Sequence, residues 1–300
     1  MKNALALLML IVVWSTTPLG LAWSTLAFTP ELAGALRMGV GALITYLILK
    51  ACGLPLPNDQ AALIAYATGA IGVFGGMYLS YLSVQHISSG LLSVIFGLSP
   101  MLSAFLGAKF LGEQRLNPLQ WLNLSGVVFG LFLIYRAQEN AEHISLLGLV
   151  LAFLAVNLFV LSVIVGKKTQ MHLQPLQTLT GTLVVSTLCF SVLWIAQGAP
   201  LPDASHADLM TSVWASLYLA VVASVLSFLA FFYLVRAVNS TVIALPTVIT
   251  PIIALGLGNW LNNEQLPLMA IIGALVVIMA LVSFVLLRQR ALAKAKQEMA

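Results

Sequence analysis

The chain has 300 residues, of which 61% are hydrophobic, with only 13 Lys+Arg and 9 Asp+Glu. Soluble domains carry charge on about a quarter of their residues, so a soluble catalytic domain is excluded and the chain reads as lipid-embedded. Cys52 and Cys189 lie far apart in apolar surroundings and form neither a disulfide framework nor a cysteine metal cluster.

At about 20 apolar residues per membrane helix, hydropathy and turn residues predict ten spans, at 4–23, 30–50, 61–83, 88–110, 118–135, 145–166, 175–197, 209–235, 240–261 and 267–287. Pro30, Pro118, Pro175 and Pro267 mark helix starts, where a missing N–H costs nothing. The first run follows Lys2 and is long enough to read as a retained helix rather than a secretory signal. It carries Trp14, Ser15, Thr16 and Thr17 ahead of an internal proline, Pro18.

The second span contains Arg37, the single charge deep inside any predicted span, seven residues past Pro30 and therefore about 10 Å along the helix. An arginine at that depth must face the bundle interior, a cavity or a partner. It either offers a bidentate fork to a carboxylate or phosphate or ties together helix carbonyls opened by prolines. The sequence places no Asp or Glu at matching depth; Glu31 falls in an outer connection. On the third span Phe74, Tyr78 and Tyr81 share a face, and Gly75–Gly76 permits close approach of a neighbour. Tyr78 and Tyr81 are expected on a cavity wall, with packing as the plain alternative.

Pro100 in the fourth span and Pro246 and Pro251 in the ninth each deny a hydrogen bond to the carbonyl four residues earlier, as Pro18 does in the first. Kinks with freed carbonyls are expected at these four prolines, beside Ser99 and Thr250. Such groups are tolerated at membrane depth only where protein or water satisfies them, so the set predicts a central polar pocket. For any single hydroxyl, back-bonding to its own turn is the simpler account. Glu113 and Glu264 sit at the ends of the fourth and ninth spans and are read as carboxylates that satisfy backbone amides at a turn, with proton relay as the alternative.

With both termini cytoplasmic, eleven basic residues collect on the inner side and only Arg136 outside, which orients the chain by the positive-inside rule. The basic charge therefore reflects topology and not nucleic-acid binding, and residues 288–300 form a basic cytoplasmic tail. Residues 88–114 and 239–265 align without gaps, sharing Ser89/Ser240, Pro100/Pro251, Leu106/Leu257, Gly107/Gly258, Glu113/Glu264 and Gln114/Gln265. This repeat divides the chain into halves of five spans, 1–137 and 145–287. An odd count forces the second half to enter the membrane upside down. The expected fold is an all-α membrane protein of ten helices in two inverted five-helix repeats, the architecture of alternating access.

The stretches VVWSTTPLG, PELAGALRMG and SSGLLSVIFGLSPMLSAFLGAKFLGEQ, with the echo of the last in the ninth span, resemble the EamA-type branch of the drug/metabolite transporter superfamily. The resemblance covers nearly the whole chain and implies a ten-helix bacterial inner-membrane exporter of amino acids and other small metabolites. The sixth span departs from the first-half pattern at Asn157, which joins Trp14, Ser15, Thr17, Arg37, Tyr78, Tyr81, Ser99 and Thr250 as a candidate substrate contact. No P-loop, no nucleophile–base pair and no HExxH motif occurs, and His86, His143, His172 and His206 fall in or beside loops. ATP hydrolysis, enzymatic chemistry, cofactors and metal binding are therefore not expected. The partners expected are a small-molecule substrate and the lipid bilayer, and the sequence says nothing of oligomeric state. The function expected is a secondary transporter working by alternating access. A broad drug-efflux carrier is the alternative within transport, disfavoured for cations by the missing mid-membrane carboxylate; a membrane-embedded enzyme or sensor is the alternative outside it.

Overall fold

A computed structural model describes residues 2–112, 115–137, 145–169, 172–202, 208–238 and 245–298. Its helices are α1 (Lys2–Ser24), α2 (Pro30–Ala51), α3 (Gln60–Ala70, π-helical Ile71–Gly76, Met77–Ser83), α4 (Ser89–Phe96 and Ser99–Phe110) and α5 (Pro118–Arg136). They continue as α6 (Leu146–Thr169), α7 (Pro175–Ala196), α8 (Leu209–Tyr218, π-helical Leu219–Leu226, Ser227–Ala237), α9 (Leu245–Asn262) and α10 (Leu268–Glu298). No strand occurs among the described residues. Nine of these helices are long and apolar enough to cross a membrane, and α9 is described over 18 residues. The chain is an all-α multi-pass membrane protein.

The predicted starts hold because local chemistry sets them. Pro30, Pro118 and Pro175 occupy first helical positions, and the Pro267 carbonyl accepts the amides of Ala270 and Ile271 just ahead of α10. Thr29 caps α2 through Leu32 N, Ser88 caps α4 through Leu91 N, and Asn117 forms a reciprocal capping box with Gln120. At Pro100 the outcome is a break and not a kink. The first half of α4 stops at Phe96, and the Leu98 carbonyl then accepts both Met101 N at 2.9 Å and Leu102 N at 3.0 Å to start a new helix. Pro18 and Pro251 are buried inside continuous helices. Pro246 lies in the first turn of α9 as described, and the Val242 carbonyl four residues before it lies outside the described residues. The stretch after residue 287, expected as a tail, continues α10 to Glu298, since Leu, Ala, Lys, Arg and Gln all favour helix and neither Gly nor Pro interrupts them.

Helices in lipid associate without a hydrophobic drive, so small residues that let backbones touch decide the contacts. A Cβ on Gly130 of α5 would come within 2.7 Å of the Gly273 carbonyl oxygen of α10, and one on Gly273 within 2.6 Å of the Gly130 oxygen. On α3, Gly72 and Gly76 bring the π-helical turn against Ser162 and Ala155 of α6, in keeping with the close approach expected at Gly75–Gly76. Gly90 meets the backbone of Leu255, and Gly97 meets Pro251, which seats the broken α4 on α9. The packing pattern recurs across the two halves. Helix α1 lies on α8 and α9 as α6 lies on α3 and α4, while α2 with α7, α4 with α9 and α5 with α10 pair between halves. Large apolar side chains such as Leu47, Val128, Leu188 and Met279 are more than half exposed around the outside, the surface that lipid covers.

Candidate functional site

Arg37 is 3% exposed, buried where α2 meets α3 and α8. Its Nε donates to Ser224 Oγ at 3.0 Å and its Nη1 to Met77 Sδ at 3.7 Å. Both partners come from π-helical regions, because Ser224 lies within the wide turn of α8 and Met77 comes immediately after that of α3. A π turn inserts a residue and rotates the next part of the helix, a device frequent at functional sites; here it aims two helices at one guanidinium. Of five N–H donors, Arg37 places two on partners, one a weak sulfur acceptor, and no carboxylate among the described residues pairs with it.

Beside it the Tyr81 hydroxyl is fully buried and has no hydrogen-bond partner, with Arg37 and Ser24 the polar groups nearest to it. Tyr78, one turn earlier, turns its hydroxyl to Glu31 and Gln197. Both rings rest edge-on against Phe190 of α7, at centroid distances of 6.2 and 6.3 Å, and Phe74 completes the group at 4.8 Å. The three aromatics expected on one face of α3 do share it. They face Phe190, which α2 accommodates only because residue 34 is glycine: a Cβ there would collide with the Phe190 ring.

Glu31 requires a correction. Hydropathy puts it in an outer connection, but it is 3% exposed in the first turn of α2, where its Oε1 accepts Gln197 Nε2 at 3.1 Å. Pro30 starts the helix as expected, and Gln197, just past the end of α7, covers the carboxylate there. The buried interior thus holds an acid as well as an arginine, the acid at the end of α2 and not at the depth of Arg37. Sequence reasoning also missed Ser224, Met77, Gln197 and Phe190. The usable signal for Glu31 was its place after a helix-starting proline on the same helix as Arg37; for the other four no local pattern marks them.

The hydroxyl residues of α1 satisfy themselves. Ser15 Oγ donates to the Ile11 carbonyl at 2.6 Å and Thr17 Oγ1 to the Val13 carbonyl at 2.6 Å, while Thr16 also meets the Tyr218 hydroxyl of α8 at 2.5 Å. Trp14 is half-buried and packs on Phe231 at 5.8 Å. Asn157 donates to the Phe153 carbonyl of its own helix at 2.7 Å. Ser99 is half-buried at the start of the second part of α4, and Thr250 is 7% exposed one residue before Pro251. None of these seven hydrogen-bonds to Arg37 among the described contacts. Two cavities, one lined by Tyr46, Lys50 and Leu54 and one by Met279, Leu286 and Arg290, lie on the outside of α2 and α10 and not at Arg37.

At the end of the bundle opposite the termini a second polar cluster is fully engaged. Glu264 accepts Ser89 N at 3.1 Å and Asn262 Nδ2 at 2.9 Å on Oε1, and Gly90 N at 3.3 Å on Oε2. It caps α4 from 175 residues away, where a negative charge complements the helix N-terminus. Asn262 Oδ1 in turn accepts Trp23 Nε1 at 2.9 Å, and Ser212 Oγ bridges the Trp23 carbonyl at 3.1 Å and the Ala27 amide at 2.9 Å. Helices α1, α4, α8 and α9 are laced together there. Its repeat counterpart Glu113 lies outside the described residues.

Broken and π-bulged helices thus enclose buried charges that the described side chains match incompletely. The EamA-like transporter family matches residues 1–136 and again 146–286, and the chain belongs to that family. It is similar to the uncharacterized transporter YyaM of Bacillus subtilis, 24% identical over 85% of this chain and 84% of that one. A probable amino-acid metabolite efflux pump of Salmonella typhimurium is 23% identical over 93% of each chain, and the pseudopaline exporter CntI of Pseudomonas aeruginosa is 27% identical over 36% of this chain and 37% of its own. A solved crystal structure superposes with a TM-score of 0.64 at 17% identity over 95% of this chain and 97% of that one, which shows the fold.

Proposed function

We propose that this protein is a secondary transporter of the bacterial inner membrane that exports small carboxylate-bearing metabolites, amino acids among them, by alternating access, with no enzymatic activity. The carrying observation is Arg37, a buried guanidinium with donors to spare and no carboxylate among the described residues to meet them. A substrate carboxylate fits the planar fork in two parallel hydrogen bonds. Export is supported by the efflux pump and exporter among its relatives.

Alternating access rests on reading the halves 1–137 and 145–287 as inverted repeats. The doubled family match, the recurring helix contacts and the π-helical turns in both α3 and α8 support that reading. Basic residues concentrated on the termini side support cytoplasmic termini. Purified protein in sealed liposomes is expected to exchange labelled amino acid or carboxylate metabolite with no added partner or nucleotide, and to lose that exchange on Arg37→Gln. Exchange undiminished in a folded Arg37→Gln variant overturns the role of Arg37. One observation favours a second reading, efflux of cationic compounds: the buried Glu31 carboxylate. Exchange of lipophilic cations but of no carboxylate would establish it in place of the first.

A further inference from the structure

We propose that the cluster around Glu264 is the outer gate: a latch of three side chains, Glu264, Asn262 and Ser212, that holds the end of the bundle opposite the termini closed and parts when a solute leaves on that side. This rests on the reading of the protein as an alternating-access carrier with cytoplasmic termini, and it adds which contacts open. Glu264 accepts the amides of Ser89 at 3.1 Å and Gly90 at 3.3 Å, and Asn262 accepts Trp23 Nε1 at 2.9 Å. Ser212 Oγ donates to the Trp23 carbonyl at 3.1 Å and accepts the Ala27 amide at 2.9 Å. Every one of these hydrogen bonds crosses between the two family-matched halves, from a side chain within residues 146–286 to a backbone or indole group within 1–136. They tie α1 and α4 of one half to α8 and α9 of the other.

The chain around Glu264 is shaped for a contact that can be made and broken. Helix α9 ends at Asn262, and Asn263 takes a φ of 51°, the left-handed region that Asn tolerates better than most residues. The Glu264 amide thereby turns back to the Gly258 carbonyl at 3.1 Å, and the carboxylate lies over Gly258, where a Cβ would collide with Oε2. Asn262 Nδ2 holds Oε1 at 2.9 Å, so the carboxylate is positioned by its own half before it meets the other. When the halves part, that bond stays. Glu264, Asn262 and Trp23 are half-buried at a bundle end, where water can replace the partners that are lost, so the net cost of opening is small. Elsewhere the halves are joined by interlocked shapes instead. The backbones of α5 and α10 touch at Gly130 and Gly273, and the Phe190 ring of α7 fills the space over Gly34 of α2. Such dry contacts have no solvent substitute when pulled apart, so α2 with α7 and α5 with α10 stay packed while the latch opens.

The test uses the full chain with Cys52→Ser and Cys189→Ser, so that introduced cysteines are the only thiols. Spin labels on Leu26→Cys and Leu261→Cys, exposed positions beside the latch on α1 and α9, report the separation of its two sides in lipid nanodiscs by double electron–electron resonance, with no solute needed. Adding Glu264→Ala and Asn262→Ala is expected to raise the share of a longer separation at least threefold. An unchanged distance distribution in that variant, shown to be folded by its monodispersity, overturns the latch. A second variant leaves Glu264 and Asn262 intact. Ala27→Cys with Ser212→Cys places a disulfide where the amide and hydroxyl now meet. Once oxidised, it is expected to slow exchange of a labelled mixture of proteinogenic amino acids in liposomes at least tenfold, with full recovery on reduction and no loss of melting temperature. Undiminished exchange with the disulfide complete overturns the gate, because the carrier then works without parting there. If the reduced protein exchanges no solute at all, the carrier reading falls, and the spin-label distances alone decide whether the latch holds that end closed.

Discussion

At the end of the bundle opposite the termini, Glu264 receives three N–H donors from three residues, while in the middle Arg37 has five donors and two partners. Both are charged groups drawn into an apolar protein, yet only one is satisfied by the protein alone. A carboxylate surrounded by backbone amides at a helix N-terminus is a finished structural device, and its worth is stability. A guanidinium with unspent donors beside a tyrosine hydroxyl with no hydrogen-bond partner is unfinished, which is why we propose it as the ligand site. Sorting polar groups by whether the protein itself satisfies them therefore separates clasp from site.

Six substitutions put that separation at risk. The largest effect is expected at the centre, where Arg37→Gln removes charge-assisted contacts of about 3 kcal/mol with the solute and slows exchange in liposomes by roughly a hundredfold. Arg37→Lys keeps the charge without the planar fork and should recover only a small part of it. Next comes Glu264→Ala, which leaves the α4 amides uncapped and lowers stability by about 2 kcal/mol; denaturant titration in micelles should detect the loss, with ligand binding by the folded fraction retained. A binding defect larger than the stability defect would make Glu264 part of the site and dissolve the comparison. Tyr81→Phe carries the opposite sign. Deleting a buried, unpaired hydroxyl should raise the unliganded stability by about 1 kcal/mol while weakening ligand binding, and a lower melting temperature would mean that the hydroxyl has a partner after all. Smallest are Ser15→Ala and Thr17→Val, whose hydroxyls only back-bond to their own helix, with changes within about 0.5 kcal/mol and exchange rates unaltered.

Much of the frame is legible in the sequence. Helix starts at Pro30, Pro118 and Pro175 come from proline chemistry alone, and an interruption near Pro100 is expected as a kink where α4 in fact breaks between Phe96 and Ser99. The site is half legible. Arg37 stands out because nothing else deep in its span is charged, and the shared face of Phe74, Tyr78 and Tyr81 comes from helical spacing. Glu31 is lost although its helix starts at Pro30 in both readings, because its burial is set by a residue of another helix end, Gln197 after α7, which no local pattern reveals. Ser224 and Met77 cannot be found by spacing, since π turns shift the helical phase just where these residues lie.

The sequence by itself determined that the chain lives in lipid, where its helices run, and that one arginine must be accommodated inside. These are consequences of hydropathy summed over about 20 neighbouring residues and of the local rules for proline and capping. Only the tertiary structure decided that Glu264 would serve amides 175 residues away, that Phe190 would fill the space over Gly34, and that Glu31 would share the interior with Arg37 without touching it. Each of these is a relation between helices distant in sequence, fixed by which small residues let two backbones meet, and no window along a single segment contains it.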